Sequence, residues 1–335
     1  MESRFVSAKR NSDVSIQRVR AVPRLPKRAA DAHKGDFGRV LVLGGSVGMA
    51  GAPSLAGLGA LRGGAGLVTI AVPASIQPTV AGLCPCATTI ALPETASGQI
   101  DPVAARRLFV DRGLLSAQPE GSPPDVLVAG PGVGRGPPAF AAALWELINA
   151  FRNGPLVPAV IDADALNLIR RSCPDAPAGW DAQYHFRTVI TPHPGELGRM
   201  HGVGAGEIQA DREGFAVRTA RLMSGRRGEP DYTPVVVLKG AGTIVTDGTR
   251  LYVNRTGNPG MATGGTGDVL AGLIAALMGQ GLEAFEAAVA GAYLHGLAGD
   301  LAARDQGQVS LIATDLLETL PRAIAQWTRG KKQPR

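Results

Sequence analysis

GNPGMATGGTGDVLAGLIAALMGQG, residues 257–281, joins a glycine loop to an apolar helical pattern. Gly264, Gly265, Thr266 and Gly267 carry small side chains or none, and the loop ends on one carboxylate, Asp268. Val269, Leu270, Leu273, Ile274 and Leu277 then recur at helical spacing. Backbone N–H groups in the first turn of a helix have no intrahelical partner, and small residues leave them open to a ligand. Gly265, Thr266 and Gly267 are therefore a candidate anion hole. An acid at the same place can take a proton from a hydroxyl lying beside a bound phosphate. Anion hole plus base is what phosphoryl transfer to an alcohol requires. The plainer alternative is a glycine turn in which Asp268 caps the helix.

Outward from this loop, short apolar runs alternate with helical patterns. Strands are predicted over 40–43, 67–72, 88–92, 126–129, 159–162, 189–191, 235–239 and 243–246, and 251–254 closes a hairpin through Asp247-Gly248. Helices are predicted over 50–62, 103–115, 139–151, 267–278, 283–304 and 313–327. This alternation argues for a mostly parallel sheet covered on both faces. In such sheets ligands bind beyond the carboxyl ends of the strands, where most of the Gly- and Asp-rich motifs fall. Residues 118–124, 173–184 and 225–233 read as surface loops, and no internal repeat is visible.

Two familiar nucleotide signatures are missing. There is no GxxxxGK[ST], and GGSVGMAGAP (44–53), although it follows the first strand, lacks GxGxxG spacing. It can admit a ligand close to the backbone or serve packing alone. GPGVG (130–134) leaves a strand at its carboxyl end, where glycines permit positive φ or make room for a ligand. In DADALN (162–167), Asp162 and Asp164 can hold Mg²⁺ through water, orient polar groups, or cap a helix carrying Leu166 and Ile169. TPHPGEL (191–197) puts His193 and Glu196 on a proline-stiffened turn. His193 can bond a polar ring substituent or phosphate and Glu196 can steer hydrated Mg²⁺, whereas zinc would need ligands that are not there. KGAGT (239–243) follows the buried run PVVVL, so Lys239 can pair with phosphate and Thr243 can add a hydroxyl, or the pair can form a plain hairpin connection. His33, His185, His201 and His295 have no motif context and read as structural.

Composition narrows the classes. The net charge of +6 is carried by residues 1–30, with eight Lys or Arg against two acids, while the remainder is balanced. A nucleic-acid surface is therefore not expected on the body. Cys84, Cys86 and Cys173 fit neither a zinc site nor a disulfide framework and read as buried thiols in a reducing compartment. The longest uncharged run, 63–93, is broken by Pro73, Pro78 and Pro85, so no membrane span is expected, and the N-terminus lacks the apolar core of a secretory signal. The cytoplasm is the expected location. A basic flexible tail is expected over 1–28, one domain over 29–328, and a short basic tail over 329–335.

HKGDFGRVLVLGGS, GMAGAP, GPGVG, DADALN, TPHPGE, KGAGT and NPGMATGGTGDVLAG occur in this order across 32–272. The series resembles the ADP-dependent NAD(P)H-hydrate dehydratase family, the carboxyl-terminal half of the YjeF-type repair proteins. The resemblance implies a single ribokinase-like three-layer α/β/α domain. It also implies repair of the (6S) hydrate of NADH or NADPH, with Mg²⁺ and with ADP as phosphoryl donor, giving NAD(P)H, AMP and phosphate. It assigns ADP/AMP contacts to Lys239, Gly240, Ala241, Gly242, Thr243 and Gly267. The hydrated dinucleotide falls to Ala52, Gly132 or Gly134, His193 and Asp268, with Asn167 and Glu196 as outer candidates and no direct metal ligand. Asp268 is the expected catalytic base. Some thirty residues ahead of the domain cannot form the epimerase domain that many relatives carry, so an epimerase on a separate chain is the expected functional partner. A symmetric homo-oligomer, a tetramer, is expected. The alternative is a small-molecule kinase of the same fold acting on a vitamin or sugar alcohol.

Overall fold

Runs rich in Val, Ile and Leu, apolar on both faces, make strands that must be covered from both sides. The computed structural model describes residues 15–116, 123–154, 156–167, 187–224 and 234–329. In it the strands are β1 (Gln17–Arg18), β2 (Arg39–Leu43), β3 (Leu67–Pro73), β4 (Thr88–Leu92) and β5 (Val126–Ala129). They continue as β6 (Ala159–Ile161), β7 (Thr188–Ile190), β8 (Val235–Leu238), β9 (Ile244–Thr246) and β10 (Arg250–Val253). One sheet has the order β1-β10-β9-β8-β7-β6-β5-β2-β3-β4. From β4 to β8 every pairing is parallel, and β9 runs antiparallel to both β8 and β10.

The side-chain period of two sorts these strands between two cores. Val40 and Val42 join one with α1 (Gly51–Arg62), α2 (Gln77–Leu83), α8 (Thr266–Gly279), α9 (Ala284–Gln306) and α10 (Ala313–Thr328). Leu41 and Leu43 join the other with α3 (Pro102–Asp111), α4 (Pro138–Asn153), α5 (Pro194–His201), α6 (Ala205–Ala210) and α7 (Arg212–Met223). The result is the expected three-layer α/β/α arrangement. Four predicted strands overran by one residue, because Asp162, Thr191, Lys239 and Asn254 lie just past β6, β7, β8 and β10. The helix predicted to 115 stops at Asp111, two residues before Gly113, whose φ of 68° cannot continue it.

Two expectations change. Residues 15–28 belong to the folded body instead of a tail. Gln17 and Val19 donate their N–H groups to the carbonyls of Thr249 and Leu251, making β1 a parallel edge strand on β10. Ile16, Val19, Val22 and Leu25, spaced among the basic residues, pack onto the two cores. The Trp327 indole N–H donates to Pro23 O, and the Arg28 guanidinium lies 3.8 Å from the Phe37 ring centre. Cys86 is exposed in the turn after α2, while Cys84 is buried as expected. Cys173, Ile169, residues 1–14 and 330–335, and most of the three stretches read as loops lie outside the described residues.

The start of α8 is seated by a helix contact made at glycines. A Cβ at Gly272 of α8 would overlap the Ala56 carbonyl oxygen of α1, and one at Gly59 of α1 would lie 2.5 Å from the Val269 carbonyl oxygen. Two backbones in contact leave no room for a methyl group. Gly272→Ala is expected to cost at least about 2 kcal/mol by overpacking and to lower the melting temperature by roughly 5 °C or more. Gly206→Ala, in open space on α6, should leave the melting temperature unchanged or raise it slightly. Thermal denaturation of both variants checks the contrast.

Candidate active site

Polar residues ending neighbouring strands converge beyond the carboxyl edge of the sheet. Lys239, after β8, places Nζ 2.7 Å from Asp162 Oδ1, after β6, and 3.8 Å from Glu196 Oε2 on α5. Thr191, after β7, donates its hydroxyl to the same Asp162 oxygen at 2.6 Å. Asp162 is 1% exposed, so its charge is held by these partners instead of by water. A Cβ at Gly267 would lie 3.2 Å from Lys239 Nζ, so the bare glycine lets the ammonium reach the start of α8. Burial opposes the lysine's charge, but Asp162, Glu196 and Asp268 overcome it and hold its pKa above the ordinary value.

That helix start is open. Its N-cap, Gly265, is left-handed (φ 89°) and supplies no side-chain cap. The Thr266 hydroxyl is turned back onto the carbonyls of Met261 and Thr263, both at 3.1 Å. Among the described residues, no acceptor meets the N–H groups of Thr266, Gly267 and Asp268. Asp268 therefore stands inside the first turn and is not its cap. Burial pushes its pKa up to about 8; Asp162, Asp164 and Glu196 push the same way, and Lys239 pulls back.

His193 and Glu196 lock each other. As N-cap of α5, His193 accepts the N–H groups of Gly195 and Glu196 at Nδ1 (3.0 and 3.3 Å), while the Glu196 carboxylate accepts the His193 N–H at 2.7 Å. With Nδ1 accepting, the ring proton sits on Nε2. Burial lowers the His193 pKa, as do Lys239 and Arg199, so the ring is a neutral donor. Burial pushes Glu196 up to about 7, opposed by Lys239.

Two glycine segments flank this cluster. Gly132 (φ 67°) and Gly134 (φ 81°) require left-handed backbone, and a Cβ at Gly132 would meet Ala52 Cβ at 3.1 Å, so Ala52 and Gly132 form one wall. Gly134 donates its N–H to Asp164 at 3.0 Å, which ties that wall to the acids around Asp268. On the other side Gly240, Ala241 and Gly242 are exposed, and Thr243 donates its hydroxyl to Gly240 O at 3.0 Å. Asn167 sits apart: its amide oxygen accepts from Arg199 at 2.7 Å, and no described contact joins it to the Lys239 cluster.

Two residues escaped the sequence reading. Arg212 reaches the carbonyls of Leu238 and Lys239 (3.2 and 3.4 Å) and so braces the KGAGT turn, but an arginine opening a helix carries no signal of that. His295 of α9, read as structural for want of a motif, lies with Nε2 2.8 Å from Thr266 O under the anion hole. Burial lowers its pKa to about 4, so it too is a neutral donor. The glycines around it in LHGLAGD were the available signal.

The raised acids predict a stability trade. A carboxyl whose folded pKa exceeds its unfolded value makes the unfolded chain bind fewer protons between the two, so stability falls as pH rises through that window. For Asp268 it runs from about 4 unfolded to about 8 folded. Asp268→Asn should melt at a higher temperature than the unaltered protein at pH 8–9, and the difference should shrink towards pH 5. Melting curves across that range check it.

Comparison with known proteins agrees with this geometry. Residues 40–322 match the family model described as NAD(P)H-hydrate dehydratase. A bifunctional NAD(P)H-hydrate repair enzyme of Moorella thermoacetica is 44% identical over 304 residues, covering 89% of this chain and 51% of that protein. The chain thus spans about half the length of such bifunctional relatives. The ADP-dependent (S)-NAD(P)H-hydrate dehydratase of Neisseria meningitidis is 37% identical, covering 91% of this chain and 89% of its own. The ADP/ATP-dependent NAD(P)H-hydrate dehydratase of Bacillus subtilis, crystallised with ATP/Mg²⁺, superposes with a TM-score of 0.68 at 29% identity over 91% of this chain and 94% of that one. A ribokinase-like superfamily protein of Enterococcus faecalis gives 0.70 at 25% identity over 90% and 92%. With a ribokinase-like three-layer fold and a family match spanning most of its length, the chain belongs to the NAD(P)H-hydrate dehydratase family.

Proposed function

We propose that this protein dehydrates the (6S) hydrates of NADH and NADPH, using ADP as phosphoryl donor and releasing AMP and phosphate. The observation that carries the reading is Asp268, a half-buried carboxyl pushed up to about 8, set in the open first turn of α8 beside Lys239. Hydroxide is a poor leaving group and phosphate a good one. Asp268 takes the proton of the ring hydroxyl as its oxygen bonds to the transferring phosphoryl group and AMP leaves. The ring nitrogen then expels phosphate, and loss of the neighbouring carbon-bound proton restores the double bond. The N–H groups of Thr266, Gly267 and Asp268 stabilise charge on the phosphoryl oxygens as it develops.

The nucleotide is assigned to Lys239, Gly240, Ala241, Gly242, Thr243 and Gly267, because the exposed KGAGT turn leads to the Lys239 ammonium. The hydrated dinucleotide is assigned to the Ala52–Gly132–Gly134 wall, His193 and Asp268. The Nε2–H of His193 donates to an acceptor on that ligand. Among the described residues no three His, Cys, Asp or Glu side chains converge on a metal site. Mg²⁺ usually keeps several waters and binds phosphates, so Asp164 and Glu196 fit it as acceptors for its water ligands, while Asp162 is committed to Lys239 and Thr191. When bound, it neutralises phosphate charge. An NAD(P)H-hydrate epimerase, which would interconvert the R and S hydrates, is the functional partner. A homotetramer in the cytoplasm completes the proposal. No described helix is long and apolar enough to cross a membrane.

The test follows absorbance recovery at 340 nm with (6S)-NADH hydrate, Mg²⁺ and either ADP or ATP. Recovery with ADP is expected, and Asp268→Asn should lose roughly 10²- to 10⁴-fold in kcat. Activity should rise with pH through a midpoint near pH 8 and level off above about pH 9, because the base must be ionised. ATP-only recovery overturns the donor. A stable phosphorylated product in place of free phosphate overturns the dehydratase reading in favour of a kinase.

A further inference from the structure

One face of α9 runs along the whole loop that ends in the anion hole. The face recurs every three or four residues, at Tyr293, Gly296 and Asp300 with His295 and Gly299 beside them. A Cβ at Gly296 would overlap Thr256, and one at Gly299 would overlap the Met261 sulfur, so the loop lies directly on the helix backbone. Thr256 donates its hydroxyl to Tyr293 O at 2.8 Å. The Asp300 carboxylate then accepts twice: from the Gly257 N–H at 3.0 Å and from the Asn258 side-chain amide at 3.1 Å. Asn258 in turn accepts the Gly260 N–H at 3.0 Å. At the far end of the loop His295 donates to the Thr266 carbonyl at 2.8 Å.

We propose that His295 and Asp300 are positioning residues for phosphoryl transfer, a bracket on α9 that fixes the 257–266 loop at both ends and so sets where the anion hole and Asp268 stand. No described hydrogen bond joins either to Lys239 or to the flanking glycine walls, although the Lys239 charge is felt at His295; their hold on the reacting groups runs through the loop. The loop needs such support. Its backbone turns through left-handed Gly257 and Gly265, and the Thr266 hydroxyl at its end is spent on the loop's own carbonyls. An anion hole aimed at a transition state gains from being fixed beforehand, and a donor displaced by an ångström loses roughly 100-fold in rate. The bracket's catalytic role rests on the dehydratase reading, but its grip on the loop does not.

The deciding experiment exchanges the two side chains that meet at the start of the loop. Asp300→Asn keeps the shape but sets an amide N–H₂ against that of Asn258 or against the Gly257 N–H. Combining it with Asn258→Asp restores the bond between the two side chains with donor and acceptor reversed, while the Gly257 and Gly260 N–H groups still find an oxygen to donate to. The single variant is expected to lose roughly 10- to 100-fold in kcat with KM for ADP changed less than about threefold, because the KGAGT turn is untouched. The double variant should recover most of that loss, a coupling that a double-mutant cycle isolates. His295→Gln, which keeps a donor near the Nε2 position, should stay close to the unaltered kcat, and His295→Leu should fall with Asp300→Asn. Amide hydrogen exchange over residues 257–268 gives a second readout: faster exchange in Asp300→Asn and recovery in the double variant. Unchanged kcat in Asp300→Asn, or no recovery in a folded double variant, overturns the proposal. If the unaltered protein turns nothing over, the dehydratase reading fails on its own, and unchanged exchange in Asp300→Asn then overturns the bracket.

Discussion

The contact between Lys239 and Asp162, made where Gly267 leaves room, is the constraint on which the rest of the site depends. A buried ion pair is stabilising only when its remaining hydrogen-bonding capacity is met, and breaking it strands a charge. Thr191 meets part of that need on Asp162. The pair draws the ends of β6, β7 and β8 and the start of α8 to one point, and a Cβ at position 267 would crowd the ammonium. It also sets the protonation of its neighbours. One ammonium faces Asp162, Glu196 and Asp268 in a poorly hydrated space, too little positive charge to hold all three acids ionised. The deficit falls on the two buried acids not bonded to Lys239 at short range. Asp268 and Glu196 thus sit near neutrality, which suits a group that must take up a proton and release it again.

Openness at the start of α8 has a structural cost that other contacts offset. The usual remedy for unsatisfied N–H groups at a helix start is a capping side chain, and here Gly265 supplies none while Thr266 turns its hydroxyl away. Burial of the helix further along holds it in place. Leu273, Ile274 and Leu277 are fully buried, and Gly272 lets α8 lie backbone to backbone on α1. Gly59 and Gly272 act on the catalytic loop through this contact without touching it.

Much of this was legible along the chain because both the fold and the chemistry are written in local patterns. Apolar runs ended by Asp162, Thr191 and Lys239 marked strand ends, and the loop at 264–268 marked an open helix start. What escaped depends on contacts between distant segments. Ile16, Val19, Val22 and Leu25 look incidental inside a basic stretch until the open edge of β10 and the side of Trp327 are there to receive them. His295 and Asp300 sit in a helix whose apolar pattern reads as plain core, and only the fold lays the anion-hole loop across them. Asn167, an outer candidate in the sequence, has its amide oxygen bonded to Arg199 of α5.

Hydrogen-bond accounting then narrows the choice of base. A histidine is the usual suspect beside a hydroxyl that must lose a proton, and His193 is available at the site. Its Nδ1 already accepts two backbone N–H groups, so its proton must sit on Nε2, and taking up a second would place one on Nδ1 against those same donors. His295 is likewise a donor, bound to a carbonyl in a buried setting that disfavours its charge. Glu196 accepts the His193 N–H and lies within reach of Lys239, which directs its carboxylate towards holding the turn. Asp268 alone combines a carboxylate free of such fixed donors, a pKa near the working range and a place inside the open helix turn. The same geometry that makes His193 unfit as a base makes it a dependable donor. On the proposed reading, recognition and proton transfer are thereby divided between two residues that both feel the Lys239 charge.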